Sequence, residues 1–288
     1  MTLENGHTTL KRLRPGIPMN TIARSAVLTA ILLAFTGAFC AHASSIPELL
    51  NYELTWAGVK IGSSSIETAF AGSTLEITSK VNSEPWSAPF YKVEDLEVSR
   101  LERVGKGFAL RSYKMKLHEG RHDWHRAVGL DRKKGKFNFV NLISFEKSSD
   151  KLVEPAWDPV SCLYHLRQLP LAVGKTVTVN VLDKGKVNRV KVKVLRRETV
   201  RTAAGSFRTI VVSPEMAIDS EGLFYARGPL TIWLSDDEKK VPVMIEKRIE
   251  NLFKDGVPAY LQQFTPDSVR SNLPKMETIR ASLVGGSY

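Results

Sequence analysis

Apolar and polar residues alternate with a period of two along most of this chain, and this pattern constrains its fold more than any other feature. The clearest stretches are residues 176–181, residues 190–194, in which valines alternate with lysines, and residues 230–234. Successive side chains of a β-strand point to opposite faces, so each stretch predicts a strand with one buried face. Apolar residues at helical spacing are rare beyond residue 43. The pattern therefore predicts an all-β protein.

Short glycine-containing turns divide the strands, for example at Gly58, Gly120, Gly135 and Gly185. Strands joined by short turns pair with their neighbours in antiparallel fashion. We therefore expect an antiparallel up-and-down meander that forms either an open barrel or a two-layer sandwich. The sequence leaves open whether the sheet closes, and it does not indicate the oligomeric state.

One short helix is predicted near the middle of the chain that follows residue 43. Asp158 suits the N-cap position, and Pro159 suits the first helical position, whose amide hydrogen would be unpaired in any case. The apolar residues that share one helical face are Val160, Leu163, Leu166 and Leu169. We expect a helix over residues 158–169 that plugs one end of the sheet or joins two sheets. A shorter helical turn is predicted over residues 84–91.

The first 43 residues are typical of a signal peptide. Lys11, Arg12, Arg14 and Arg24 precede the apolar residues 26–39, and Ala41 and Ala43 provide small side chains before a cleavage site. The apolar run is shorter than the ~20 residues of a membrane-spanning helix. We expect cleavage before Ser44 and a periplasmic location, with translation starting at Met1 or Met19. An uncleaved N-terminal anchor is the alternative, and Phe39 before Cys40 disfavours lipidation.

The expected domains are the signal peptide, residues 1–43, an all-β domain, residues 44–264, and a C-terminal tail, residues 265–288. The tail is expected to be helical in part at most, because alternation fades and the last residues are Val-Gly-Gly-Ser-Tyr. No further apolar run of membrane length follows the leader. Of the two cysteines only Cys162 lies beyond it, so we expect no disulfide within the chain and a buried, unreactive thiol.

The formal net charge of +11 favours contact with anionic envelope material such as lipid head groups, lipopolysaccharide or acidic glycans. The basic residues are scattered, as on the solvated faces of strands. Nucleic acid is not an expected partner, because no basic stripe interleaved with aromatic residues is present.

Ser161 and His165 lie four residues apart on the predicted helix, and Asp158 is close to both. This spacing resembles a nucleophile, base and orienting acid, but such a nucleophile needs a strained turn and oxyanion donors that a helix does not supply. We expect capping and hydrogen bonding instead of catalysis.

His118, His122 and His125, with Glu119 and Asp123, form the densest group of residues able to bind a metal. A hairpin that turns at Glu119 and Gly120 is expected to place His118 opposite His122, with His125 on the other face. Two imidazoles and a carboxylate can hold zinc, but an exposed polar hairpin is the preferred interpretation.

Two further patterns have structural interpretations. Asp236 and Asp237 resemble paired catalytic carboxylates, but adjacent strand residues face opposite ways, so a tight turn with local hydrogen bonds is expected. Trp56 and Trp233 lie in predicted strands, where a large aromatic side chain either fills the core or lines a cavity, and core packing is the preferred interpretation.

Several ordered segments resemble the bacterial exported proteins grouped as domain of unknown function 3108. They are residues 52–58 with Gly62, residues 158–161 with Tyr164, Arg167, residues 169–171 and Gly174, residues 205–209, residues 228–230, residues 233–237 and residues 241–243. The similarity extends over about residues 50–264. It implies an all-β envelope protein and brings no known activity.

The sequence contains no convincing catalytic or metal site. We expect an exported periplasmic protein that is not an enzyme, needs no cofactor, and binds a lipid-like or glycan ligand on the concave face of its sheet. No ligand-binding residue is identified. The alternatives are an envelope hydrolase that uses Ser161 and His165 or a metal at the histidines, and a scaffold that docks on an envelope assembly through exposed strand edges.

Overall fold

The computed structural model describes residues 47–89, 91–105, 107–215, 228–250 and 276–288, except for the side chains of residues 249, 250, 276 and 277. These residues form a single 15-stranded sheet and one α-helix. The first strands are β1 (Glu48–Trp56), β2 (Val59–Ala71), β3 (Thr74–Ser83), β4 (Glu94–Val104), β5 (Gly107–Glu119), β6 (His122–Asp131), β7 (Lys136–Asn141) and β8 (Lys147–Lys151). Then come β9 (Ala156–Trp157), helix α1 (Pro159–Leu166), β10 (Thr176–Asp183), β11 (Lys186–Thr202), β12 (Gly205–Pro214), β13 (Leu230–Ser235), β14 (Pro242–Glu250) and β15 (Met276–Ser287).

The sheet is an open meander whose two edges come from consecutive parts of the chain. Its order runs from β8 through β1 to β15, and then from β14 back to β9. All pairs are antiparallel except the short pairing of β9 with β10. The expected all-β fold and the antiparallel meander are confirmed, and the sheet is not closed by pairing between β8 and β9.

The two ends of the sheet fold towards each other. Leu182, on β10, packs with Tyr113, on β5, and Phe137, on β7, in one buried cluster. The turn between β10 and β11 lies against β7, where a side chain at Gly185 would meet the Phe139 ring at 3.2 Å. The sheet therefore curls until the strands near its two edges lie against each other, with one concave face inside.

Helix α1 lies on this concave face and contacts both halves of the sheet. Leu166 packs with Val179 and Val190, while Cys162 packs against Leu75 and Ile77 on the opposite side. The helix begins where its sequence predicts, with Asp158 as N-cap and Pro159 following it, and it ends at Leu166, earlier than expected. Turn hydrogen bonds at Ser87, Ala88 and Tyr91 confirm the predicted helical turn near residues 84–91.

The prediction of a C-terminal tail is wrong for the residues that the structure describes. Strand β15 lies in the middle of the sheet, between β1 and β14. Ile279, Ala281 and Leu283 alternate with outward residues and are buried, and this alternation was the signal that the sequence analysis missed. At the Gly-Gly sequence the backbone of β15 approaches the backbone of β1 closely, because a Cβ at Gly286 would overlap the carbonyl oxygen of Leu49.

Other expectations fall outside the described residues, namely the signal peptide over residues 1–43 and the last part of the expected all-β domain, residues 251–264. Where the structure is described, no helix has the length and apolar character needed to cross a membrane.

Candidate functional site

A cavity of about 440 Å³ lies on the concave face of the sheet, between helix α1 and the surrounding strands. This volume falls within the ~300–1,000 Å³ typical of small-molecule sites. Apolar side chains form most of its wall, among them Ile66, Val81, Leu163, Val179, Val181 and Val190. Tyr52 is the one aromatic side chain in the lining contributed by the described residues. The wall therefore suits a hydrocarbon group better than a polar ring.

The N-terminus of helix α1 is fixed by a buried hydrogen-bond network around Asp158. The Asp158 carboxylate accepts the backbone N–H groups of Val160 and Ser161. It also accepts the Ser161 hydroxyl at 2.6 Å and the Ser99 hydroxyl of β4 at 2.7 Å. Burial raises the pKa of Asp158, while these hydrogen bonds oppose the shift. The network holds one wall of the cavity rigidly against β4.

The residue that follows helix α1 is fixed by a buried ion pair. Arg167 donates two hydrogen bonds to the Glu48 carboxylate, both at 2.7 Å, and a third to the carbonyl oxygen of Lys239 at 2.9 Å. The Arg167 and Glu48 side chains are 7% and 3% exposed. Because bidentate pairs fix geometry as well as distance, Arg167 ties the helix to the start of β1.

Carboxyl groups from β4, β5 and β10 line another part of the cavity. Asp95 and Glu97 lie on β4, Glu119 ends β5, and Asp183 ends β10. Asp95 accepts the backbone N–H of His118 at 3.1 Å and is hydrogen-bonded to Glu119 through the side chains. Glu97 accepts the hydroxyl of Tyr113. We refer to Asp95, Glu97, Glu119 and Asp183 as the acidic end of the cavity.

Two groups of the acidic end, Asp95 and Glu97, hold protons more tightly than ordinary carboxylates do. Burial raises the pKa of Asp95 to about 8, and the neighbouring charge of Glu119 adds to this effect. Burial also raises the pKa of Glu97 to about 7, with the Tyr113 hydrogen bond opposing and the charge of Asp158 adding. Near neutral pH these buried carboxyl groups are therefore partly protonated.

The structure brings Ser161 and Asp158 together but directs His165 elsewhere. The Ser161 hydroxyl donates to Asp158 inside the helix cap, and the His165 ring stacks on Trp157 at 4.3 Å between ring centroids. Burial lowers the pKa of His165. The interaction of Ser161 with Asp158 is thus a capping box.

The expected arrangement of the histidines is wrong. The register of β5 and β6 places His118 opposite Asp123, and Glu119 opposite His122. His118 and His125 therefore share one face of the sheet, while His122 lies on the other face and stacks on Trp124. His118 pairs with Asp123 at 2.8 Å. Within the described part of the chain, no three His, Cys, Asp or Glu side chains are grouped to hold a metal ion.

Asp236 and Asp237 lie in the predicted turn. Asp237 accepts the Ser235 hydroxyl and the backbone N–H groups of Lys239 and Lys240, all within 3.0 Å. Asp236 pairs with Arg197. Trp233 is buried, as expected, but it packs with Val211 and Met244 in a cluster separate from the cavity.

Cys162 faces the cavity from helix α1. Burial raises the pKa of its thiol to about 12, and the charge of Asp158 adds to the shift. The thiolate is therefore scarce at neutral pH, so the thiol should react slowly.

The acidic end is not among the sequence predictions, although the sequence contains a signal for it. In β4 the inward positions are Asp95, Glu97, Ser99 and Leu101, while Leu96 points outward and is 40% exposed. Polar residues thus occupy the inward phase of the alternation at one end of the strand. Such an inversion indicates a buried polar site, provided that the inward face can be identified.

Comparison with known proteins connects this fold to a family. Residues 51–251 match the family described as "Protein of unknown function (DUF3108)". No curated protein matches the chain. A crystal structure of a beta-barrel-like protein of domain of unknown function DUF1849 from Brucella abortus is similar, with a TM-score of 0.50 and 11% identity. The similarity covers 84% of this chain and 97% of that chain, and it concerns the fold alone.

Proposed function

We propose that this chain, which belongs to the DUF3108 family of proteins of unknown function, is an exported, non-catalytic envelope protein that holds a lipid-like ligand in its cavity. The cavity carries this proposal. The cavity of about 440 Å³ inside the curled sheet has a largely apolar wall. A hydrocarbon chain bound there would cover this apolar surface and remove it from water. Export is proposed from the basic, apolar and small-residue pattern of residues 1–43.

The chemistry of the wall favours a lipid-like ligand over a glycan. Glycan sites commonly present aromatic faces, whereas Tyr52 supplies the single aromatic ring among the described lining residues. The Tyr52 hydroxyl already donates to the carbonyl oxygen of Pro242 at 2.8 Å. A hydrocarbon chain needs only the apolar side chains of β10, β11 and helix α1.

Binding can be tested with the neutral fluorescent probe N-phenyl-1-naphthylamine, which brightens in apolar sites. We expect saturable binding by the purified protein. A Val181→Trp substitution should fill part of the cavity and weaken probe binding by about tenfold or more, since 1.4 kcal/mol corresponds to a factor of ten. The matched control is Leu195→Trp, because Leu195 lies on β11 but is 40% exposed, and this variant should bind like the wild type.

Organic extraction of protein purified from its native compartment, followed by mass spectrometry, should identify a co-purifying amphiphile. Failure of the probe and of all added amphiphiles to bind would overturn the proposal. Equal binding by the Val181→Trp and Leu195→Trp variants would show that the probe binds outside the cavity.

A further inference from the structure

We infer that the cavity selects amphiphiles with a positively charged ammonium head group and disfavours those with a carboxylate or phosphate head. This inference rests on the proposed function and assigns the chemical class of its ligand. It starts from the position of the acidic end, whose four carboxyl groups line one part of a largely apolar cavity. A chain lying along the apolar wall would place its head group among these carboxyl groups.

The carboxyl groups reach the cavity from two sides. Val93, just before β4, forms an isolated bridge with Glu119, so β4 and β5 bring Asp95 and Glu119 together. Asp183 belongs to the hairpin that folds over the concave face, and its charge acts on Glu97. The acidic end is therefore assembled by the curling of the sheet and not by one local stretch of sequence.

Burial gives these groups their influence over a head group. Asp95 is 8% exposed and Glu119 is 3% exposed, so water screens their charges poorly. An ammonium group beside them would lower their pKa values, because its positive charge favours the ionised form of a carboxyl group. It would then gain attraction and hydrogen bonds from the carboxylates. A carboxylate or phosphate group would meet like charge, or would itself need to bind a proton.

Other titratable and charged groups face or adjoin the same space, and they do not reverse this preference. They are Tyr52, Tyr91, Tyr113, Asp158, Cys162, Lys184 and Lys186. Only Lys184 and Lys186 carry positive charge, and both lie at the turn between β10 and β11. Lys184 is half-buried, whereas Lys186 is exposed, so water and salt screen Lys186 more strongly than they screen Asp95 and Glu119. The two lysines are also outnumbered by the four carboxyl groups of the acidic end.

The charge of the acidic end is opposite in sign to the net charge of the chain. A net charge of +11 favours anionic material at the outer surface, whereas the acidic end favours a cation inside. The two preferences concern different surfaces, so the cavity ligand cannot be deduced from the net charge.

The test compares ligands that share a twelve-carbon chain, namely dodecylammonium, dodecanol, dodecanoate and dodecyl phosphate, as competitors of N-phenyl-1-naphthylamine at pH 7. Each competitor is used below the concentration at which it forms micelles. We expect dodecylammonium to displace the probe at about tenfold lower concentration than dodecanoate or dodecyl phosphate, with dodecanol between them. In the Asp95→Asn, Glu119→Gln double variant, the ammonium and carboxylate ligands should bind within about twofold of each other.

Probe binding by the double variant shows that its cavity is intact, and the single variant Glu97→Gln provides a second measurement with a smaller expected effect. Asp150→Asn removes an exposed carboxylate from edge strand β8 and should leave the preference unchanged. Stronger displacement by dodecanoate or dodecyl phosphate than by dodecylammonium, or equal displacement by all four ligands, would overturn the inference and leave the proposed function standing. Absence of binding by the probe and by every ligand would overturn the proposed function itself.

Discussion

Replacement of Asp95 by asparagine should raise the free energy of unfolding at neutral pH. The folded protein holds the pKa of Asp95 at about 8, whereas the ordinary value is 3.8. Between these two pH values the folded chain keeps a proton that the unfolded chain releases. Stability from this group is therefore complete below about pH 4 and is lost as the pH rises towards about 8. Asparagine does not titrate, so the variant lacks this loss.

The magnitude follows from about 1.4 kcal/mol for each unit of pKa difference. The interval from pH 4 to pH 7 covers about three pH units between the ordinary and the raised pKa of Asp95. Over this interval the free energy of unfolding of the wild type should fall by up to about 4 kcal/mol relative to the variant. Asp95 shares its environment with Glu119, which can take over part of the bound proton, so about 2 kcal/mol is the smallest difference that we expect.

Urea denaturation at several values between about pH 4 and pH 8 measures this difference, and unchanged m-values would show that the folded and unfolded states are comparable. The asparagine side chain can still accept the N–H of His118, so the local backbone should be preserved. Asp150→Asn, on edge strand β8, is the matched control and should follow the wild-type profile. A parallel pH profile for Asp95→Asn and wild type would refute the argument that burial protonates the acidic end.

Three further predictions concern the ion pair, the C-terminal strand and the leader. Arg167→Leu should lower the free energy of unfolding by about 3–5 kcal/mol because it leaves Glu48 buried and unpaired, whereas Arg196→Leu in an exposed pair should cost at most about 1 kcal/mol in the same urea titrations. Gly286→Ala should lower the thermal midpoint markedly and destabilise the protein by at least about 2 kcal/mol, because its Cβ would overlap the Leu49 carbonyl at a φ of +151°. The control Gly285→Ala has open space around its Cβ, so its stability should lie within about 0.5 kcal/mol of wild type. Intact-mass measurement of the exported protein should give a chain that begins at Ser44, and a mass that includes residues 1–43 would contradict cleavage there.

The parts of the fold that the sequence predicts correctly depend on neighbouring residues. Lysines alternating with valines in β11 define one buried face whatever the strand pairs with. Asp158 and Pro159 start helix α1 through bonds within four residues of each other. Ser235 and Asp237 form their turn in the same local way. Such features can be predicted because the alternation and the hydrogen bonds within a short stretch of sequence are compatible with few local structures.

The errors concern contacts between distant residues. A shift of one position in the pairing of β5 with β6 determines whether His118 meets His122 or Asp123, and the sequence pattern is compatible with either. The sequence predicts a tail at β15 because glycines near a chain terminus are typical of flexible ends. The close packing of Gly286 against the Leu49 carbonyl of β1 is a long-range contact that the local sequence does not indicate.

By itself, the sequence determined a chain of amphipathic strands with one helix, because side-chain periodicity and helix capping are local properties. Tertiary structure decided where the curled sheet would leave a cavity and which carboxyl groups would share its acidic end. Asp95 and Asp183 are far apart along the chain, and only the folding of the β10–β11 hairpin over the concave face brings their charges to one cavity. Burial at that meeting point, which no short stretch of sequence encodes, raises the pKa values of Asp95 and Glu97 so that they hold protons near neutral pH.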